Sequence, residues 1–478
     1  MSVFKSVLAI LLLAANIAVA QDRPDENALF GESEKRSPAG ENATETETSK
    51  EAFASGDVVE NPLQIGGIFY QQMVISSYQD VRFKNTPLFF PLQVDGYMDA
   101  RPNDRLRAFI RSRLLYDVTR DPFSNSTSKS SVVSIPTVQT HLLGTTTPLP
   151  NNPQMVIDQA WLKFDMNRNL FVTVGKQHLR WGPSHTWNPT DFLHTQQRDP
   201  LQPIDPRLGR TMVKFELPWE KTESNFYAVM LLDNPIPAST LGQMGGAFRA
   251  ETLLDNTAVG AEMIARGGLK PAYGADISTP LGPFDAYAEA AFVFGATHYQ
   301  ISSDVIPGQD IASLYTASSM TGPAVQASGG LNYTFAWKEN RAATFGLEYF
   351  HNQLGYDSAT AYPVLIFLEQ YRPFYVSEKY ASLYITAEGP DAGQRTSYTF
   401  STLSNLSDAS FISRLDFSLR ALTYLSFGSF VAVHYGTQGG EFNFSLNTPD
   451  LKYQGTSIPS MNIPSQVFDL GISLRMSL

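Results

Sequence analysis

The last eleven residues alternate without a break. Phe468, Leu470, Ile472, Leu474, Met476 and Leu478 are apolar, and Asp469, Gly471, Ser473, Arg475 and Ser477 between them are polar or small. A period of two places these sets on opposite faces of an extended strand. The pattern recurs upstream. Val325, Ala327, Leu331, Tyr333, Phe335 and Trp337 oppose Gln326, Ser328, Asn332 and Thr334, and Leu415, Phe417 and Leu419 oppose Arg414, Asp416, Ser418 and Arg420. In another segment Leu106, Ala108, Ile110, Leu114, Tyr116 and Val118 oppose Arg105, Arg107, Arg111, Arg113 and Asp117.

Two architectures produce such strands. A soluble sandwich buries the apolar face against a second sheet, with strands of about 5–6 residues. A transmembrane barrel turns that face to lipid and needs about 9–11 residues per strand. Here the segments run to about ten to thirteen residues, which favours the barrel. The spacing predicts about eighteen strands, at 63–78, 89–100, 104–118, 154–166, 169–181, 208–217, 223–233, 244–254, 257–267, 271–279, 284–297, 324–337, 341–352, 379–388, 394–404, 410–421, 424–437 and 466–478. Connections after even strands are tight. Those after odd strands include all the long ones, with short exceptions near Gly268 and Asn405. Short turns on one rim and long loops on the other is the outer-membrane arrangement, and an even count puts both chain ends on the short-turn, periplasmic side. Trp219 and Trp337 fall at short-turn ends, as interface anchors or as packing beside the turns.

Composition separates what precedes the barrel. Met1–Ala20 reads as a signal peptide, with Lys5, an apolar stretch over Val7–Ala15 and Ala18-Val19-Ala20 as the cleavage site. Residues 21–60 carry eleven acids against four bases and only two aromatics, Phe30 and Phe53. Such a segment cannot bury enough surface to order itself, and is expected to be a disordered acidic periplasmic tail, a spacer or a tether. The whole chain carries -11; without the signal's single positive charge and the tail's -7, residues 61–478 carry only -5. The charged fraction of 17% lies below the roughly 25% of soluble domains, as expected where every second strand residue meets lipid. The acidic balance argues against nucleic acid as a partner. The absence of cysteine excludes a disulfide scaffold, a thiol nucleophile and a cysteine-anchored lipoprotein.

The faces opposite the apolar ones define a lumen, and 16–18 strands leave it wide enough for water. The expected pore-lining bases are Arg105, Arg107, Arg111, Arg113, Lys163, Arg210 and Lys214; the expected acids are Asp95, Asp99, Glu262, Asp276, Asp285, Glu289 and Glu348. Walls of opposite sign would set a transverse field and select charged or dipolar solutes. Asp95 and Asp99 lie on the strand beside the arginines, so some of these charges could instead pair across the ladder.

One segment departs from plain alternation: Gly175-Lys-Gln177-His-Leu-Arg-Trp181-Gly182, then Trp187-Asn188-Pro189-Thr-Asp191-Phe, then residues 205–210. It resembles the G-[KR]-Q…W-G…N-P-x-D segment of several bacterial outer-membrane barrel families, alginate-exporter-like porins and uncharacterised relatives among them. The resemblance covers roughly forty residues, from Val172 to Lys214, and implies a porin-like barrel without naming a solute. Pro183, Pro189, Pro200, Pro203 and Pro206 forbid regular pairing, so a long stiff loop is expected, folded into the channel or capping its rim. A bulge is expected near Lys176, His178 and Arg180, which share a face with Val172 and Val174.

His178, His185 and His194 match no metal-ligand spacing, and no nucleophile elbow, phosphate loop or dinucleotide fingerprint is present. No cofactor, metal or enzymatic activity is expected. The sequence reads as an all-β transmembrane antiparallel barrel in the Gram-negative outer membrane, a porin passing small hydrophilic solutes, with anionic or polyhydroxyl ones favoured if the basic wall is free. The expected partners are outer-membrane lipid, lipopolysaccharide and the barrel-assembly machinery. A homotrimer is compatible, although no trimer face stands apart from the lipid face. A component for polysaccharide or lipid export, a surface adhesin and a soluble β-protein are the alternatives.

Overall fold

The computed structural model describes residues 62–119, 152–194, 196–202, 204–234, 236–237, 240, 242, 244–301, 307–338, 341–390, 393–453, 456–458 and 460–478. The expected signal peptide and acidic tail lie outside the described residues. The barrel strands of the first half are β1 (Leu63–Tyr78), β2 (Pro91–Asn103), β3 (Leu106–Asp117), β4 (Gln154–Met166), β5 (Leu170–Gln177), β6 (Arg210–Trp219), β7 (Ser224–Leu231), β8 (Gly245–Leu254) and β9 (Thr257–Arg266). Those of the second half are β10 (Ala272–Leu281), β11 (Phe284–Val293), β12 (Ala324–Lys338), β13 (Arg341–Asn352), β14 (Lys379–Glu388), β15 (Thr396–Asn405), β16 (Ser410–Leu422), β17 (Leu425–Gly436) and β18 (Gln466–Ser477). A two-residue piece, Leu88–Phe89, pairs with β1 just ahead of β2.

Each strand pairs antiparallel with its neighbours in the chain. β18 closes the circle on β1, with Ile68 opposite Ser477 and Ile75 opposite Leu470. The result is a closed barrel of eighteen strands, and closure leaves no unpaired sheet edge. All eighteen expected strands are present, most within a few residues of their expected bounds.

Every barrel strand exposes at least one large apolar side chain on its outer face, among them Ile110, Phe215, Phe248, Leu331, Leu347, Leu415 and Ile472. A soluble sandwich would have covered these residues. A continuous apolar belt around a closed barrel is the surface a bilayer requires. Trp219 is half exposed at the short-turn end of β6.

Three of the long loops meet over one mouth. A short helix, α1 (Tyr362–Phe367), follows Ser358, whose hydroxyl accepts from Thr360 N at the start of the preceding 3-10 turn. Val364 and Phe367 of α1 pack with Ile311, Leu314 and Leu451 from two other loops, and Gly308 N donates to Asp450 O at 2.6 Å.

Two expectations change. β5 ends at Gln177 rather than near Trp181. The bulge sits on the neighbouring strand: Arg111 pairs with Gln159 and Ser112 with Ile157, leaving Asp158 as the extra residue. The physical reason lies in Gly175, whose φ of +127° and close approach to Ala160 O turn β5 out of alternation without an inserted residue of its own.

Candidate functional site

Residues 178–209 leave the wall at β5 and return at β6. Both ends of this loop meet one carboxylate. Asp158 Oδ1 accepts from Gly209 N at 3.2 Å and pairs with His178 Nε2 at 2.9 Å. Its Oδ2 accepts from Arg111 Nε at 2.7 Å and from Arg113 Nη2 at 3.4 Å. Asp158 is fully buried, and its bulged position lets one residue of the wall close the loop's neck. Burial lowers the His178 imidazole pKa, although Asp158 beside it pulls the other way.

A second ionic group stiffens the neck. Arg207 bridges Asp191 and Asp205 at 2.8 Å each, and His194 Nδ1 lies 2.9 Å from Asp191. Burial alone would raise the Asp191 carboxyl, but His194 and Arg207 overcome it and hold it well below the usual carboxylate range. Arg207 does the same for Asp205 against the same penalty. Deeper in the loop, burial pushes the Arg198 guanidinium down to about 10, with Arg180 adding repulsion.

The tip docks on the far wall. Three successive backbone N–H groups, of His185 (2.9 Å), Thr186 (3.2 Å) and Trp187 (2.8 Å), donate to Glu348 on β13. The hydroxyls of Tyr287 and Ser328 donate to the same carboxylate at 2.7 and 3.2 Å. Five donors on one buried carboxylate form a strong, directional anchor. The His185 ring stands edge-on to Tyr287 (5.4 Å) and tilted to Tyr384 (6.1 Å), and its Nε2 accepts from Asn332 at 3.1 Å. Those tyrosines face Gly330 and Gly346 across the ladder, and a Cβ on either glycine would collide with the ring. The two glycines therefore let the rings lie against the wall and make the socket.

Trp187 is completely buried, donates its indole N–H to Phe374 O at 2.8 Å and stacks on Phe350 at 5.7 Å. Arg113 Nη1 holds Pro206 O at 3.2 Å and Arg414 Nη1 holds Leu201 O at 2.9 Å. Contacts to β3, β4, β11, β12, β13, β14 and β16 come from one loop, so it crosses the interior of the barrel. Of the two expected placements, inward or on the rim, the inward one is found.

All eight residues of the singled-out motif belong to this device. Gly175 takes β5 out of alternation before it ends; Gln177 Nε2 reaches back toward Thr173 O at 3.4 Å. Trp181 is buried with Leu179, Leu193 and Met212. Its carbonyl accepts from Asn188 Nδ2 at 2.8 Å across the Gly182 turn, Pro189 is buried beside them, and Asp191 and Trp187 hold the two ends.

The expected wall residues are placed as follows. Arg105 pairs with Asp165 (3.0 Å), Arg107 with Asp99 (2.9 Å), Arg111 with Asp158, and Arg113 with Asp95 (3.2 Å) and Asp158. Arg210 pairs with Asp233 (3.1 Å), Lys214 with Glu216 (3.3 Å), and Lys163 lies over the Phe171 ring at 5.5 Å. Glu262 and Asp276 both bind Arg249, at 2.7 and 2.6 Å. Glu289 is buried under the loop near Ser184 N at 3.5 Å; Asp285 lies opposite Asn332 in the ladder. The arginines thus meet carboxylates across neighbouring strands instead of forming a bare basic wall. Asp158, Arg249, Tyr287, Tyr384 and Arg414 were missing from the expected set. Arg249 stood in plain alternation between Phe248 and Ala250; Asp158 was hidden by its bulge, and the tyrosines by counting as apolar.

A scan against protein-family models finds no match, and a search of curated proteins finds none. Among solved structures, the crystal structure of Acinetobacter baumannii OccAB1 aligns at a TM-score of 0.48 and 11% identity, over 89% of this chain and 99% of that one. The outer membrane protein opdK from Pseudomonas aeruginosa aligns at 0.47 and 7%, over 87% and 98%. Pseudomonas putida OprB aligns at 0.45 and 8%, over 87% and 94%. Likenesses at this level carry no functional weight.

Proposed function

We propose that this chain is an outer-membrane channel for small hydrophilic solutes, with loop 178–209 as its constriction. The observation that carries the reading is the loop's path: rooted on Asp158, it crosses the interior and docks on Glu348. A closed barrel of this strand number has room for an aqueous lumen, and a loop pinned at both walls sets the size of what passes. The apolar belt supports a bilayer as surroundings, and the short-turn rim, where the first and last barrel strands begin and end, is read as periplasmic.

Because the wall arginines are paired, charge contributes little to selection. Neutral, hydroxyl-bearing solutes are therefore favoured over ions of either sign. The test is single-channel recording of the purified, folded protein in a planar bilayer. Discrete current steps with a near-zero reversal potential in a salt gradient are expected. A folded protein that inserts and stays silent overturns the channel, and a strongly anion-shifted reversal potential overturns the neutral-wall reading.

A further inference from the structure

Beside Leu201 and Gln202 of the inward loop lies a cleft of about 980 Å³, open solvent at its mouth included. Its walls come from β1, β16, β17 and β18, its roof from Leu201 and the outer loops. Phe374, Ile412, Phe430, Phe442 and Phe444 give it an apolar, mostly aromatic lining.

Arg414, His434, Asp469 and Glu441 on its rim are engaged within the protein. Arg414 grips Asp416 at 2.6 Å and Leu201 O at 2.9 Å, and lies over the Phe430 ring at 3.8 Å. His434 turns both ring nitrogens to acceptors, Phe442 O at 2.6 Å and Asp469 at 3.0 Å. Asp469 also accepts from Gln466 at 2.7 Å. Glu441 accepts from Tyr380 at 2.7 Å and Asn405 at 2.8 Å. One polar atom is different. Gln72 is only 4% exposed and lines the cleft, and its amide oxygen has no hydrogen-bond partner. A buried acceptor left unpaired is costly, and a donor brought by a bound molecule removes that cost.

We propose that this cleft binds a small uncharged molecule with an aromatic or compact aliphatic body and one hydrogen-bond donor, the body against the phenylalanines and the donor on Gln72 Oε1. Apolar lining with few convergent polar groups is the usual chemistry of a small-molecule site. The proposal rests on the channel reading for how the molecule arrives and goes beyond it, placing beside the channel a site for a less polar molecule than the hydroxyl-bearing solutes assigned to the channel itself.

The experiment is calorimetric titration of the full chain in lipid nanodiscs with indole, and with 1-methylindole, which has the same body and no donor. Saturable binding of indole at one site per chain is expected. Gln72→Leu should weaken indole about fivefold, the worth of one neutral hydrogen bond, and leave 1-methylindole unchanged. Ala432→Trp, which fills the cleft from β17, should abolish both. Uptake no greater than by protein-free nanodiscs, or equal indole binding by wild type and Gln72→Leu, overturns the site. The Gln72→Leu contrast keeps the proposal falsifiable if the larger substitution fails to fold, which heat-modifiable gel mobility reports. Calorimetry reads the site whether or not the protein conducts, so silent bilayers alongside saturable, Gln72-dependent binding would count against the channel while supporting the site.

Discussion

Two buried carboxylates govern opposite ends of the inward loop's surroundings, and the chain treats them in opposite ways. Asp158, at the loop's root, is held by two cations, Arg111 and Arg113, and by the His178 ring. Glu441, in the outer loop over the aromatic cleft, is surrounded by neutral donors: Phe374 N, Tyr380 Oη and Asn405 Nδ2. Burial pushes the Glu441 carboxyl up to about 8; hydrogen bonds from Tyr380, Phe374 and Asn405 oppose the rise and nearby Asp408 adds to it. The contrast shows that the lumen is divided. One side is stabilised by buried charge pairs; on the other, apolar packing surrounds the Glu441 hydrogen bonds, with the Arg414–Asp416 and His434–Asp469 pairs at its edge, and the loop spans the boundary.

The same isosteric change at each carboxylate should break this symmetry. Asp158→Asn leaves two buried arginines short of their shared counter-charge and should cost about 3–5 kcal/mol, read as a lowered urea midpoint for unfolding from detergent micelles. A cost below that of an ordinary surface change would remove Asp158 as the closing group. Next in size is the loop's far anchor. Glu348→Ala strips the acceptor from three backbone N–H groups and should loosen the docked tip by about 3 kcal/mol, about a hundredfold in its released fraction. Faster trypsin cleavage after Arg180 or Arg198 and a higher, noisier single-channel current are the expected readouts.

Acid should act on the charged side first. Asp191 and Asp205 have folded pKa values depressed below their unfolded ones. Their contribution is therefore complete above the unfolded value of about 4 and lost as pH falls below it toward the folded values. Amide protection within residues 178–209, corrected for intrinsic exchange, should drop between pH 5 and pH 3 by about tenfold or more. Protection of the Phe374 amide, which donates to Glu441, should hold over the same range.

Much of this division was legible in the sequence, and the missing part has a physical cause. Strand positions followed from period two, because lipid on one face and water on the other leave no freedom in which residues alternate. The loop was visible as a proline-rich break with a Trp-Gly and Asn-Pro-x-Asp signature. Its direction was not, since Glu348 lies more than 150 residues from the three loop amides that donate to it. The arginines of β3 were found, but their neutralisation depends on register: Arg113 opposite Asp95 could be suspected, whereas Asp158 reaches Arg111 only through a bulge. The cleft was invisible, because Phe430 and Ile412 face inward against the strand's usual apolar-out rule, over Gly471 and beside Leu201.

The smallest expected effect is the sharpest test of the comparison. Glu441→Gln keeps the shape of a protonated carboxyl, so at pH 5 it should change stability by about 1 kcal/mol or less, far less than Asp158→Asn. The sign with pH then follows from linkage. The folded state holds the Glu441 proton more tightly than the unfolded chain does, so its contribution is full below the unfolded value of about 4.3 and is lost as pH rises through about 8. Wild type should therefore lose stability toward pH 9 at the cleft side while the Asp191–Arg207 neck is unaffected, and Glu441→Gln should abolish that alkaline loss. If the variant and wild type instead fall together between pH 5 and pH 9, the outer cap does not rest on a protonated Glu441, and the two sides of the lumen differ in their partners but not in their charge.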